Sequence, residues 1–284
     1  MALDNFIPTI WTARLLISLD KALVYGQSNV SNRDYEGEIR QAGNSVKINS
    51  IGDVTVKPYV KNTDIDAPET LVDSSQMLNI TQAEYFNFAV DNVDAAQSNV
   101  NVMSEAMRRA AHRLSDVADQ FIAAKHVEVP SANMIGNDGA PIAVDLPAKA
   151  YENLVDLGTK LDEANVESEG RFCVIPPWFY ALLLKDNRFV AAGTSKTDEV
   201  LRNGQVGEAA GFTLLKSNNV PHDSGTKYKI IAGVPMAHSY ADQVVEVKAY
   251  EKEKGFADGV KGLHVYGSKL VRPYCWAVLT ANKS

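Results

Sequence analysis

Cysteine is scarce in this chain of 284 residues, which contains only Cys173 and Cys275. The two are far apart and lack CxxC spacing, which argues against a disulfide framework or a zinc site and suits a reducing cytosol. Dense clusters of Lys and Arg are also lacking, and the formal net charge is -7. Tight sequence-independent binding to phosphates is therefore not expected, and a nucleic-acid reader is disfavoured.

A long hydrophobic run is missing as well. The apolar stretch from Ile10 to Val24 is interrupted by Arg14, Asp20 and Lys21, and no small-residue cleavage site follows it. We therefore predict neither a membrane span nor a signal peptide. With 45% hydrophobic and 22% charged residues, the composition is that of a soluble globular protein.

Motifs for catalysis and for cofactor binding are absent from the sequence. There is no GxSxG, HExxH, GKS/T or GxGxxG pattern, and the five histidines are scattered. His238 and Asp242 have the spacing of a ligand pair, but Gly233 and Pro235 argue against a helix there and no third ligand suggests itself. We predict no catalytic residue, no metal and no cofactor. A cytosolic α/β enzyme with a site assembled only in space stays as an alternative.

An amphipathic helix is predicted near the N-terminus. Pro8 suits a first helical turn, and Trp11, Leu15 and Leu19 then fall on one face. This face packs either on its own domain or, as an arm, on a neighbouring molecule.

A hairpin is predicted after the helix. Val46 and Ile48 alternate with polar residues, Ser50 to Asp53 supply turn chemistry, and Val54 and Val56 resume the alternation. A lone two-stranded hairpin is marginal in water and needs a surface to pack on. That surface belongs to the same subunit or to another one, and we expect a neighbour to supply most of it.

Neither Gly nor Pro occurs between Glu69 and Val129. This stretch is predicted to hold a strand over Met77 to Val90 and one helix from about Val93 to His126, which would be about 50 Å long. Spacings of three and four place its core stripe at Val100, Met103, Met107, Ala110, Leu114, Val117 and Phe121. On the polar face we expect a solvated cluster in which arginines pair with aspartates, at Arg108, Arg109, Arg113, Asp116 and Asp119, and a subunit contact is the alternative.

The second half of the chain mixes helices with strands. We predict a helix over Tyr151 to Ala164 and a buried strand followed by a Pro-Pro helix start within Phe172 to Leu184. Strands are predicted over Val244 to Tyr250 and Gly262 to Val271, and a further one near the C-terminus, all returning to pack on the long helix. The fold class is therefore α+β.

Several strings occur in a shared order along the chain: NRDYEGEIR at 32–40, GDVTVK at 52–57, NVDAAQSNVNVMSEAMRRAA at 92–111, VIPPWFYALLL at 174–184 and GLHVYGSKLVRP at 262–273. This series resembles the coat proteins of tailed bacteriophages, the family built on the Hong Kong-type capsid fold, and in particular the Salmonella-phage coat group. The resemblance implies a major capsid protein that assembles itself into an icosahedral shell around a double-stranded DNA genome.

The resemblance also implies a division of the chain into an N-terminal arm (1–34), an extended loop (35–82), a peripheral domain with a spine helix (83–150 and 245–284) and an axial domain (151–244). Arm and loop would reach adjacent subunits. The subunit-interface residues predicted on this basis are Phe6, Ile7, Trp11, Leu15, Arg33, Asp34, Tyr35, Glu36, Glu38, Arg40, Val46, Ile48, Ile51, Val54 and Val56.

The partners implied by the resemblance are further copies of the chain, in hexamers and pentamers, and a portal protein. Because the sequence begins at the arm, a separate scaffolding protein is expected, and a cementing protein is a further candidate. The DNA would be enclosed without sequence-specific binding, in a virion capsid assembled in the cytoplasm of the bacterial host. A nanocompartment shell that encloses a cargo enzyme is the alternative within the same fold.

Overall fold

The computed structural model describes seven continuous stretches and a few single positions of the chain. The described residues are 23–34, 45–51, 56, 58–59, 61–62, 64, 67, 73–91, 102–186, 205–223, 226–251 and 257–283. The predicted N-terminal helix and Val54 lie outside them.

Three helices and thirteen strands make up the described part. The helices are α1 (Val102–Ala123), α2 (Pro147–Glu163) and α3 (Pro177–Leu183). The strands are β1 (Ser45–Ile51), β2 (Asp73–Asn79), β3 (Gln82–Asp91), β4 (Met134–Ile135), β5 (Ile142–Val144), β6 (Phe172–Ile175), β7 (Gln205–Ala209), β8 (Phe212–Lys216), β9 (His222–Asp223), β10 (Lys227–Gly233), β11 (His238–Glu251), β12 (Ala257–Leu270) and β13 (Trp276–Lys283).

The smaller of two structural units is an antiparallel three-stranded sheet in the order β11-β12-β3, covered on both faces. Helix α1 covers one face, where Met107 and Ala111 pack against Val247 and Val260. The β1-β2 hairpin covers part of the other. Its end comes so close that a Cβ at Gly267 would lie 2.6 Å from a backbone oxygen of the hairpin, so only glycine fits there.

The hairpin differs from the predicted one in its second strand. β1 pairs with β2, from Ser45 opposite Asn79 to Ile51 opposite Asp73. Val56 lies outside any strand and is 92% exposed. The turn residues Ser50 to Asp53 favoured a nearby strand as the partner of β1. The structure instead pairs β1 with β2, whose residues alternate in the same way between buried and exposed and which contributes to the same apolar cluster. The predicted strand from Met77 to Val90 is correspondingly two strands in two different sheets.

Helix α1 confirms the predicted helix over 22 residues, about 33 Å at 1.5 Å per residue. Its buried row is rotated from the predicted one and consists of Met107, Ala111, Leu114, Ala118 and Ile122. Val117, predicted to be core, is 41% exposed because it lies about 100° round the helix from Ala118. Ala110 and Phe121 are half-buried, and the side chains of Val100 and Met103 are not among those described.

The larger unit is a mixed eight-stranded sheet. Its main order is β4-β13-β10-β6-β8-β7, with β5 on β13 and β9 on β10. Helices α2 and α3 pack on it through residues that include Leu154, Leu157 and Phe179, and all four residues of β6 are buried. The C-terminal strand β13 therefore lies in this sheet beside β10, not on the long helix as predicted.

The chain crosses between the two units three times in the described order of elements. The crossings follow α1 (Ala124–Asn133), β10 (Val234–Ala237) and β12 (Val271–Cys275), and each contains a proline and at least one 3-10 turn. They touch one another: the carbonyl oxygen of Ala237 accepts bonds from Val271 and Arg272 at 2.8 and 3.0 Å. We call these three segments the seam. Among the described helices, none is long and apolar enough to cross a membrane.

Candidate assembly surfaces

Residues 23–34, here called the anchor segment, are tied to helix α1 through Asp119. Its carboxylate accepts three backbone N–H bonds, from Val24 at 2.8 Å, Tyr25 at 2.9 Å and Gly26 at 3.2 Å. The spacing of charged residues predicted Asp119 on the solvated face, yet it is buried. Its position beside Ala118, one turn before Ile122, is the signal that could have revealed this.

Burial raises the pKa of Asp119 to about 7. The three N–H bonds favour the ionised form and act in the opposite direction, while the charge of Asp116 adds to the rise. Three successive backbone N–H groups thus hold this side chain in place. An arrangement of this kind fixes the path of a chain segment.

A second set of bonds ties the anchor segment to the start of β11. The Ser31 hydroxyl lies 2.8 Å from Nδ1 of His238, and the Asn32 N–H donates to the His238 carbonyl at 2.8 Å. In return the Tyr240 N–H donates to the Asn32 carbonyl at 2.9 Å. Burial lowers the pKa of His238 to about 3, so this imidazole is neutral at physiological pH.

Arg33 completes the attachment through a buried carboxylate. Its guanidinium donates to Oδ1 of Asp242 at 2.9 Å, and Oδ2 of Asp242 contacts Nε2 of His264 at 3.1 Å and accepts from the Tyr240 hydroxyl at 3.2 Å. Burial alone would raise the pKa of Asp242, but the His264 bond and the Arg33 charge outweigh it and lower that pKa. Arg33 was predicted at the subunit interface; here it makes an ion pair within its own chain.

These polar groups form a structural network rather than a reactive site. His238, Asp242 and His264 are buried, and His238 stacks on Trp276 with ring centroids 5.2 Å apart. His238 and Asp242, which have the spacing of a metal-ligand pair, both lie on strand β11 and form hydrogen bonds to different residues. In the described part of the chain, no three His, Cys, Asp or Glu side chains are grouped to hold a metal ion.

Two predicted interface residues on β1 are covered by their own subunit. Val46 and Ile48 are only 4% and 5% exposed, because they pack with Leu78, Ile80 and residues of β11 and β12. The expectation that a neighbour covers them is therefore wrong. Apolar and polar residues alternate along β1, and its apolar face packs on the body of the same chain.

The remaining predicted interface residues fall into two groups. Asp34 is exposed, and its N–H bonds to the Asn32 side chain at 2.9 Å. Ile51 ends strand β1, but its side chain is outside the described set, as are the residues predicted at Phe6, Ile7, Trp11, Leu15, Tyr35, Glu36, Glu38, Arg40 and Val54.

An open groove of about 350 Å³ lies on the three-stranded sheet, lined partly by Tyr85, Asn87, Lys248 and Lys261. Lys248 and Lys261 are directly opposite each other on β11 and β12. The Tyr250 hydroxyl donates to Asn87 at 2.7 Å. Tyr85, Met77 on the hairpin and Val127 after α1 are large apolar side chains with more than half of their surface exposed.

The arginines of α1 do not pair as predicted. Arg108 and Arg109 bind Glu105 at 2.8 and 3.1 Å on an exposed face, and their hydrogen bonds lower the pKa of Glu105 to about 2. Asp116 instead contacts His112 at 3.3 Å. Exposed ion pairs of this type contribute little to stability. The face that carries them is open for contacts with another molecule.

Residues 75–279 match the family model described as phage capsid protein. This chain belongs to that family. The match spans β2 to β13 and therefore both units. The family is a structural one, which confirms the predicted role as a self-assembling major capsid protein and not an enzyme.

Solved phage capsids share the fold. A protein of Mycobacterium phage Che8 is 28% identical, with 89% of each chain covered and a TM-score of 0.68. The capsid of Cyanophage P-SCSP1u is 17% identical over 87% of this chain and 85% of that one, with a TM-score of 0.65. An encapsulin of Synechococcus elongatus is 12% identical over 85% and 83%, with a TM-score of 0.56. No curated protein sequence matches the chain.

Proposed function

We propose that the protein builds the icosahedral shell of a tailed phage around double-stranded DNA, as pentamers and hexamers in the virion, and that it assembles in the cytoplasm of the host bacterium. The family match over 75–279 is the observation that carries this proposal. The shared order of sequence strings supports a finer placement in the Hong Kong-type fold, near the Salmonella-phage coat group.

The proposed mechanism is physical: heterologous contacts repeat around local axes until the shell closes. Interfaces of obligate assemblies bury about 2,000 Å² or more. Large exposed side chains such as Tyr85, Met77 and Val127 are the kind of surface that such contacts cover. We place them, with the groove on the three-stranded sheet, among the contact surfaces.

The chain's reaching parts are proposed to be shorter than the arm and loop predicted from sequence. The anchor segment and the β1-β2 hairpin pack on their own subunit. We therefore propose three parts that are offered to neighbours: residues 1–22, with Phe6, Ile7, Trp11 and Leu15, residues 35–44 and residues 52–72. The division into peripheral and axial domains is proposed to follow the smaller and larger units.

A separate scaffolding protein, a portal protein and a cementing protein are proposed partners. The net charge of -7 suits a container for packed DNA, since a strongly cationic wall would hold the genome by phosphate contacts. DNA would accordingly be enclosed and not read.

The experiment is to purify particles that contain this chain from infected or expressing cells and to identify their contents. We expect nuclease-protected double-stranded DNA inside particles whose dominant protein is this chain. Particles that instead hold one cargo enzyme and no DNA would overturn the genome-shell proposal.

A nanocompartment shell is the second candidate. The similarity to the encapsulin of Synechococcus elongatus favours it, but at 12% identity this similarity concerns the fold alone. The contents of the particles separate the two candidates directly.

A further inference from the structure

The seam consists of three short crossings between the two units. The first has a 3-10 turn on each side of Pro130, and the other two each have a 3-10 turn that begins at Pro235 or Pro273. Segments of this type, at the ends of regular elements, are where proteins absorb the dihedral changes of hinge motion. The crossings also hold each other: the Asn133 side chain donates to the Tyr274 and Trp276 carbonyls at 2.6 and 3.2 Å. They therefore have to move together.

The anchor segment is bonded to the smaller unit and packs into the core shared by both units. Its polar bonds go to Asp119 on α1 and to the first residues of β11, directly after the second crossing. Its buried side chains Leu23, Tyr25 and Val30 belong to the cluster that contains the β6 and β13 residues of the larger sheet.

Tyr25 is fully buried, in the same apolar cluster as Cys173 of β6. Gly26 follows it, where an added Cβ would lie 3.2 Å from the Tyr240 ring. The segment thus packs between α1, the start of β11 and the larger sheet.

We propose that the anchor segment is a wedge that sets the angle between the two units, so that a pull on residues 1–22 changes that angle at the seam. The pull would come from a second copy of the chain, which rests on the proposed shell function. The coupling between wedge and seam is a property of the single subunit and can be measured without assembly. It would let identical subunits take slightly different shapes in pentamers and hexamers.

Hydrogen exchange of the full-length unassembled subunit tests the coupling. Asp119→Asn keeps the side-chain size but removes one acceptor, and Glu105→Gln on the exposed face of the same helix is the matched control. In Asp119→Asn we expect exchange at least about tenfold faster at residues 24–26 and also at both later crossings, 234–237 and 271–275. Strand β8 in the larger sheet should keep the exchange rate of the unchanged protein, and Glu105→Gln should change none of these regions.

Two results would overturn the proposal. One is faster exchange confined to residues 24–26, which would mean that the segment detaches without affecting the seam. The other is an equal increase in β8, which would mean general destabilisation. If Asp119→Asn does not fold, Ser31→Ala removes the bonds to His238 and to the Tyr25 carbonyl and must show the same regional pattern with a smaller amplitude.

Discussion

The β1-β2 hairpin provides a sharp test of which surfaces belong to the subunit itself. Ile48 on β1 is 5% exposed, whereas Met77 on β2 is 57% exposed on the other side of the same hairpin. Ile48→Ala removes about three methylene-sized groups, each contributing about 0.8 kcal/mol when buried. With the cavity left against Leu78 and Val265, the loss is about 2–5 kcal/mol. Met77→Ala should cost about 0.5 kcal/mol or less.

Urea unfolding of the unassembled subunit measures this difference in the free energy of unfolding. We expect a clearly lower midpoint for Ile48→Ala with an unchanged slope, and a near-normal midpoint for Met77→Ala. Shell assembly should depend on Met77 more than on Ile48, provided that the subunits are folded. Met77→Asp should therefore leave the subunit stable and reduce the yield of shells. Equal midpoints for the two alanine variants would refute the packing of the hairpin on its own subunit.

Two further predictions concern helix α1 and the pH dependence of stability. Leu114→Asp buries a carboxylate in the apolar row and should cost several kcal/mol, about 3 or more, while Val117→Asp should cost about 1 kcal/mol or less; equal solubility and protease resistance of the two would show that the buried row is misassigned. Burial lowers the pKa of His238 to about 3, so stability should fall as the pH drops from about 6.5 toward 3, by up to roughly 1.4 kcal/mol per pH unit. His238→Phe should weaken this acid loss in calorimetry. Because the pKa of Asp119 is raised to about 7, protonation of Asp119 stabilises the folded protein as the pH falls through 7. Asp119→Asn removes this contribution and should make the acid loss of stability steeper. Unchanged pH profiles in both variants would contradict the roles given to His238 and Asp119.

Helix α1 shows what periodicity can and cannot predict. The absence of Gly and Pro marked the helix, and that prediction is confirmed over the described residues. Two adjacent rows satisfy spacings of three and four, one through Val117 and one through Ala118. The structure buries the row with Ala111 and Ala118, whose small side chains let the sheet approach closely. Sequence hydrophobicity alone favoured the larger Val117.

The sequence did not predict most of the pairings between segments that are far apart along the chain. β1 was recognised as a strand, but its partner β2 is far along the chain and a nearer turn signal competed with it. The return of β13 to the larger sheet depends on contacts with β10 that no local pattern encodes. Asp119 was read as solvated because a charged residue is usually exposed, and its three backbone donors lie about ninety residues earlier.

Imaging of the purified protein by cryo-electron microscopy, with and without the proposed scaffolding protein, tests directly whether the chain forms a shell. We expect closed shells of uniform diameter, in which the smaller and larger units fit the density of every subunit and residues 1–22 contact a neighbour. A protein that stays monomeric or dimeric under all assembly conditions, including in the presence of that scaffolding protein, would contradict this expectation.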